Sequence, residues 1–123
     1  MIQPQTLVKF ADNSGARIGR VFKILGGSRR RYASLGDIVV IAVQEAEPRK
    51  QIKKKDVIHA VVVRQKRPYK RRDGSYISFD ENAVVVLEKG KKEPIAGRIF
   101  GPIPHEIAEL GYQKIIGMAP EVV

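Results

Sequence analysis

Lysine and arginine side chains, the groups that bind phosphate, are concentrated in one part of this chain. Residues 49–72 hold 11 of the 23 Lys and Arg in the 123-residue sequence and a single acid, Asp56. A largely apolar run, residues 57–63, lies in the middle of this basic segment, so its cations are expected to sit on folded structure rather than on a disordered tail. Positive charge held at this density suits a polyanion with regularly spaced phosphates, and it predicts binding to structured nucleic acid.

The net charge of +10 is divided unevenly along the chain. Residues 1–72 carry 18 basic and 5 acidic side chains, whereas residues 73–123 carry 5 basic and 8 acidic ones. We therefore expect one end of the molecule to face the polyanion, while the other faces protein or solvent.

A second phosphate-binding candidate is the run Gly26-Gly27-Ser28, followed by three arginines. Paired glycines let successive N–H groups form an anion nest, and Arg binds phosphate through two parallel hydrogen bonds. The run lacks the spacing and the Lys-Ser/Thr pair of a nucleotide P-loop, so a contact with a phosphate backbone is the better interpretation. The predicted RNA-binding residues are Asn13, Ser14, Arg29, Arg30, Arg31, Arg49, Lys53, Lys54, Arg64, Lys66, Arg67, Tyr69, Lys70, Arg71 and Arg72.

One of these predictions has an ordinary structural alternative, and another concerns a base rather than a phosphate. The polar loop at residues 12–15 is either an Asx turn, in which Asp12 binds nearby backbone N–H groups, or a loop that contacts RNA sugar and phosphate. Tyr69 lies between Pro68 and Lys70 on a cationic segment, and among the aromatic residues it is the candidate for stacking on an unpaired base.

Enzymatic and metal-binding interpretations find little support in the sequence. There is no cysteine, and the two histidines are far apart: His59 lies in an apolar run and His105 stands beside Glu106. No nucleophile motif accompanies them, so we predict no catalytic residue, no metal and no cofactor. The lack of cysteine removes the case for a disulfide-built secreted fold. With no signal segment and no long apolar run, we expect a soluble intracellular protein.

The apolar residues fall in short β-branched runs separated by turn residues, which predicts a mainly β protein. Without crossover helices between them, these runs favour a small closed antiparallel barrel. Asp73-Gly74 predicts a type I′ hairpin turn, and residues 104–110 predict one or two helical turns that end with Gly111 at the C-cap. The predicted strands are residues 6–10, 16–25, 37–45, 57–64, 75–79 and 83–88.

Several motifs along the whole chain resemble one known family. The most specific is AVVV at residues 60–63, followed at set spacings by Asp73-Gly74, Phe79, Asn82 and Val85-Val86. Others are ADNSGA at residues 11–16, LGGS at 25–28, RIFGP at 98–102 and APE at 119–121. By these motifs the chain resembles the universal large-subunit ribosomal protein fourteen family in its bacterial or organellar form.

The resemblance implies a single domain over residues 1–123. It implies a closed five-stranded antiparallel barrel, a projecting β-ribbon at about residues 64–82 and a C-terminal segment with short helices at about residues 101–123. It further implies that the protein is a structural constituent of cytoplasmic or organellar ribosomes, bound to large-subunit rRNA.

Further partners implied by the resemblance are small-subunit rRNA at intersubunit bridges, ribosomal proteins three and nineteen, and a ribosome-silencing factor. By position, Arg98 and Lys114 are assigned to this subunit-interface and silencing-factor face, whereas Gly97 departs from the Thr common in bacterial relatives. From the residues alone, a free RNA-binding or translation-factor barrel and a binder of heparin-like or acidic polymers remain open.

Overall fold

The computed structural model describes residues 2–26, 31–50, 52–88 and 91–123. Five strands form a closed barrel in the order β1-β2-β3-β4-β7. The prediction of a mainly β, five-stranded barrel is therefore confirmed. The barrel strands are β1 (Leu7–Phe10), β2 (Ala16–Ile24), β3 (Ile38–Ala46), β4 (Val57–Arg64) and β7 (Ala83–Leu87).

The barrel differs from an all-antiparallel one at the pair that closes it. Strands β1 and β7 run parallel, with Lys9 opposite Ala83 and Phe10 opposite Val84. The other four pairs are antiparallel. The first strand of the chain is thus held between its sequence neighbour β2 and the last strand of the barrel.

Runs of small β-branched residues make up the barrel core. Val61, Val62 and Val63 of β4 are all fully buried, as are Val84 and Val85 of β7. Strands covered on both faces read as continuous apolar runs rather than as alternating ones, which explains why these segments lack a period of two.

A two-stranded ribbon, β5 (Tyr69–Lys70) and β6 (Tyr76–Ile77), lies between β4 and β7 and forms a sheet of its own. The prediction of a type I′ turn at its tip was wrong. The Gly74 amide donates to the Arg71 carbonyl (3.1 Å) and the Arg71 amide to the Ser75 carbonyl (2.8 Å), so the loop has three residues. Only Gly74 among them has positive φ, +89°. This is the arrangement of a turn followed by a left-handed residue in a bulge.

The C-terminal segment packs onto the barrel core through buried Ile103, Ile107 and Ile115. The predicted helix is present but shorter than expected; its C-cap is Leu110, and Gly111 follows with φ +101°. A second helix comes next. The elements of this segment are β8 (Pro102–Ile103), α1 (Glu106–Glu109), α2 (Gln113–Met118) and β9 (Glu121–Val122), with β8 and β9 paired in parallel.

Neither helix, nor any other helix within the described ranges, has the length and apolar character needed to cross a membrane.

Candidate nucleic-acid interface

Strand β4 divides the basic segment into two separate groups of cations. The β3–β4 loop precedes it, and the ribbon follows it, so the two groups lie at opposite ends of an eight-residue strand. At about 3.3 Å per residue these ends are roughly 26 Å apart. We call Arg49, Lys53 and Lys54 the loop cluster, and Lys66, Arg67, Lys70 and Arg72 the ribbon cluster. We expected the positive charge at one end of the molecule, but exposed cations lie at both ends of β4.

The loop cluster is presented by a tightly bonded backbone. The Lys53 amide donates to the Asp56 carboxylate (2.9 Å), and the Lys55 amide donates to the Val43 carbonyl (2.8 Å). The three side chains of the loop cluster are exposed and form no ion pair within the described part of the chain. Lys50 and Lys55, which the sequence reasoning missed, are exposed in the same loop.

The β1–β2 loop lies at the same end of the barrel as the loop cluster and forms the predicted Asx turn. Ser14 donates to Asp12 Oδ1 through its hydroxyl (2.7 Å) and its amide (3.4 Å), and the Val86 amide donates to Asp12 Oδ2 (2.8 Å). Burial raises the pKa of the Asp12 carboxyl, and the hydrogen bonds from Ser14 and Val86 oppose that shift. Because Ser14 is buried and its hydroxyl is bound to Asp12, its side chain stabilises the turn, and we do not retain it as an RNA contact.

Asn13 is exposed and brings Arg98 to this loop. Its side-chain oxygen accepts a hydrogen bond from the Arg98 amide (3.2 Å), and its own amide donates to the Arg98 carbonyl (3.2 Å). Asn13 and Arg98 line a shallow cavity of about 250 Å³ together with Lys50 and Phe100. A residue predicted for RNA and one predicted for the subunit interface are therefore neighbours.

The ribbon cluster is anchored at its root and free at its side chains. The Lys66 amide donates to the Asn82 side chain (3.0 Å), and Gln65 Nε2 donates to the Arg67 carbonyl (2.9 Å). The four cations of the ribbon cluster are exposed and make no ion pair with any described residue. Arg31, also exposed, lies in the β2–β3 loop at this end of the barrel, whereas Arg29 and Arg30 fall outside the described residues.

Arg64 does not join the exposed cations. It retains only 8% of its accessible surface, and its guanidinium lies 3.6 Å from the carboxylate of Glu81. The guanidinium fills the space above Gly101, where even a single Cβ atom would collide with it. Burial lowers the pKa of Arg64, and Glu81 partly offsets this shift. We therefore do not retain Arg64 as a phosphate contact.

Arg71 is likewise engaged inside the molecule. Its Nε lies 3.2 Å from Glu106 Oε2 of α1 in an ion pair, without the geometry of a hydrogen bond, and its NH2 group donates to the Val123 carbonyl (2.7 Å). Arg71 thus joins the ribbon to the C-terminal segment, and contact with phosphate would require it to leave both partners.

The tyrosine that the ribbon exposes is not the one selected from the sequence. Tyr69 is half-buried and packs against the main core, so it is not presented for base stacking. Tyr76, which the sequence reasoning did not select, is 65% exposed. The observed register places the two rings on opposite faces of the ribbon, whereas the two-residue turn would have placed them on the same face.

Lys114 lies on α2, where it pairs with Glu93 at 3.1 Å, and its side chain is exposed. No described contact joins it to Arg98. Neither residue is buried, so each remains available to a partner.

The histidines form no metal site with the residues that the structure describes. His59 is half-buried in β4, and His105 lies beside Glu106 (3.3 Å) and Glu109 (3.9 Å) on α1. Within those ranges, no group of three or more potential ligands has an arrangement that could hold a metal ion.

The barrel and its exposed cations agree with a comparison against known families. A family model described as Ribosomal protein L14p/L23e matches residues 1–123, which is the full sequence. Members of that family are rRNA-binding structural constituents of the large ribosomal subunit rather than enzymes. On this match, the chain belongs to the Ribosomal protein L14p/L23e family, and its place is in the ribosome.

Proposed function

We propose that the loop cluster and the ribbon cluster are the surfaces by which this chain binds large-subunit rRNA. The observation that carries the proposal is the division of the cations into two kinds. Those of the two clusters are exposed and unpaired within the described ranges, whereas Arg64 and Arg71 are paired inside the molecule.

This division has an energetic basis. An exposed, unpaired cation can neutralise a phosphate and release its counterions, which favours binding without breaking any contact in the protein. A cation taken from a buried pair leaves its carboxylate without a partner, and that penalty opposes binding. The free cations of both clusters, with Arg31 and Asn13, are therefore the proposed contacts, and the free RNA-binding factor and the acidic-polymer binder are less favoured alternatives.

The salt dependence of rRNA binding tests this proposal. If 6 to 10 phosphates are engaged, affinity for a large-subunit rRNA fragment should fall by roughly 10³- to 10⁵-fold between 50 and 200 mM salt. An unrelated RNA duplex of equal length serves as the control for specificity and should bind more weakly at each salt concentration. A nearly flat salt dependence, or equal affinity for both RNAs, would overturn the proposal.

A second surface, around Arg98 and Lys114, is proposed to contribute to intersubunit bridges with small-subunit rRNA. Its support is the family membership together with two exposed cations next to apolar residues, of which Phe100 is 49% exposed. Ribosomal proteins three and nineteen and a ribosome-silencing factor are proposed as protein partners on the same grounds.

Replacing Arg98 and Lys114 together by Ala tests the second surface. The double variant should assemble into the large subunit, because both proposed rRNA-binding clusters are intact, but subunit joining or binding of the silencing factor should weaken. Lys91→Ala is the matched control, since Lys91 pairs with Glu88 on the surface as Lys114 pairs with Glu93 and is equally exposed. Sucrose gradients and a pull-down with the silencing factor measure these effects; unchanged joining and pull-down, or loss of assembly, would contradict the assignment.

A further inference from the structure

The β5–β6 ribbon has two chemically different faces. Tyr69 lies directly opposite Ile77, and Lys70 lies directly opposite Tyr76. Because neighbouring residues of a strand point to opposite sides, the first pair shares one face and the second pair shares the other. Tyr69 and Ile77 are both half-buried, and Tyr69 packs on the core. The face that carries Lys70 and Tyr76 is exposed.

We propose that Tyr76 is a stacking platform for an unpaired base of the bound rRNA, with Lys70 beside it as the contact to phosphate. This inference rests on the proposed rRNA-binding function and adds to it a contact with a base. The ring is 65% exposed, and its hydroxyl makes no hydrogen bond with the described part of the protein. The ring therefore has no role in the core that would compete with binding.

The surroundings of Tyr76 favour RNA as the occupant. Directly opposite residues on paired strands have Cβ atoms about 4.5–5.5 Å apart, so the Lys70 ammonium can reach the phosphate of a nucleotide whose base lies on the ring. The exposed cations Arg67 and Arg72 lie in the same ribbon, and the one acid of its tip, Asp73, accepts hydrogen bonds from the Ser75 hydroxyl (2.6 Å) and amide (2.9 Å). An aromatic ring among cations is the arrangement that binds unpaired nucleotides by stacking.

Substitution at Tyr76 separates stacking from general attraction to phosphate. Tyr76→Leu keeps an apolar side chain but removes the ring, and it should weaken binding to an rRNA fragment with unpaired bases by about 5- to 150-fold. The slope of affinity against salt should not change, because no charge is lost. Tyr76→Phe should bind as the natural protein does. Lys70→Ala is the complementary control, since it should lower the salt slope by about one.

Fluorescence supplies a second measurement. The sequence has no tryptophan, so the Tyr76→Trp variant carries a single indole, whose emission should be quenched when a base stacks on it. Phe22→Trp is the control, because Phe22 is 44% exposed on β2 and belongs to neither the loop cluster nor the ribbon cluster.

The outcomes distinguish the two levels of the proposal. If the natural protein binds with a steep salt dependence but Tyr76→Leu binds equally well and the Tyr76→Trp emission is unquenched, the stacking assignment fails while the rRNA-binding function stands. If the natural protein shows no salt-dependent binding, the proposed function fails and the stacking site fails with it. Weaker binding of Tyr76→Leu at an unchanged slope, with quenching of Tyr76→Trp alone, supports the stacking site.

Discussion

Burial against an acid separates the arginines that stabilise the fold from the cations that are free to bind phosphate. Arg64 and Lys66 are two residues apart in a basic segment, yet Arg64 is buried against Glu81 and Lys66 is exposed. From their positive charge alone, both residues were predicted to bind phosphate. The burial of Arg64 depends on contacts with distant residues such as Glu81 and Gly101, so it could not be predicted from its neighbours in sequence.

The buried Asp12 carboxyl gives a prediction about pH. Its pKa in the folded protein is raised above the ordinary value of 3.8, so its contribution to stability is fully present below that pH and is lost as pH rises through the raised value. The stability of the natural protein relative to Asp12→Asn should therefore fall as pH is raised from about 3 towards neutrality. Urea unfolding of both proteins over this range measures the difference.

Asp73 provides the control, because its pKa is shifted in the opposite direction from that of Asp12. The Ser75 hydroxyl lowers the pKa of this exposed carboxyl, so its contribution is present above pH 3.8 and is lost as pH falls. The natural protein compared with Asp73→Asn should therefore gain stability as pH rises. A stability difference that rises with pH for Asp12→Asn, as it should for Asp73→Asn, would contradict the assignment for Asp12.

At the scale of elements, the ribbon turn decides which side chains share a face. A two-residue turn centred on Asp73 and Gly74 would place Arg72 opposite Ser75, whereas the three-residue loop places Arg71 opposite Ser75. A shift of one residue moves the side chains of one arm to the other face. The Asp-Gly pair is compatible with both turns, and the packing of Tyr69 on the core occurs with the observed register.

The backbone conformation of Gly74, rather than the space around it, should decide which residues can replace it. A Cβ at this position would meet nothing within 4 Å, but its φ of +89° is unfavourable for β-branched residues. Gly74→Val should therefore fray residues 69–77 while the barrel stays folded. Gly74→Asn is the control, since Asn tolerates left-handed conformations. Amide hydrogen exchange measures both, and full protection of the ribbon in Gly74→Val would refute the prediction.

The contact between the ribbon and helix α1 depends on a partly buried ion pair. Arg71→Met removes the arginine partner of the Glu106 carboxylate and leaves only His105 beside it, which should destabilise the protein by about 3 kcal/mol. Adding Glu106→Gln should recover much of this loss, because the unpaired charge is removed.

Arg72→Met is the matched control for this pair, as Arg72 is the exposed neighbour with no described ion pair, and its effect should stay within about 0.5 kcal/mol. Urea unfolding gives all four values. Equal losses for the two arginines, or no recovery in the double variant, would argue against a stabilising role of the pair.

For the whole molecule, sequence patterns predicted the architecture better than the surface. The β-branched runs predicted the barrel strands, most directly β4 and β7, where burial on both faces demands such residues. The parallel β1–β7 pair and the separation of the two clusters were not predicted. The parallel pair depends on strand order, which no local pattern specifies, whereas the separation follows from the length of β4, a strand that the sequence did indicate.

The separation of the clusters predicts independent contributions to binding. Lys53→Ala with Lys54→Ala should lower the salt slope for rRNA binding by about two, and Lys66→Ala with Arg67→Ala should do the same. Since the clusters are roughly 26 Å apart, the losses in binding free energy should add in the quadruple variant. Titration of the rRNA fragment at several salt concentrations tests this, and a combined loss far from the sum would indicate that the clusters act as one site.

The parallel pair that closes the barrel also affects how the chain folds. The pairs β1–β2, β2–β3 and β3–β4 join strands that are consecutive in sequence. Strand β1 can complete its pairing only after β7 has been made, because Lys9 pairs with Ala83. Such a pairing raises the contact order and slows folding. Until residues 83–87 have been synthesised, β1 and β4 have open edges that could pair with other chains. The growing chain already carries 18 of its 23 cations by residue 72, and mutual repulsion among copies would protect those edges during this interval.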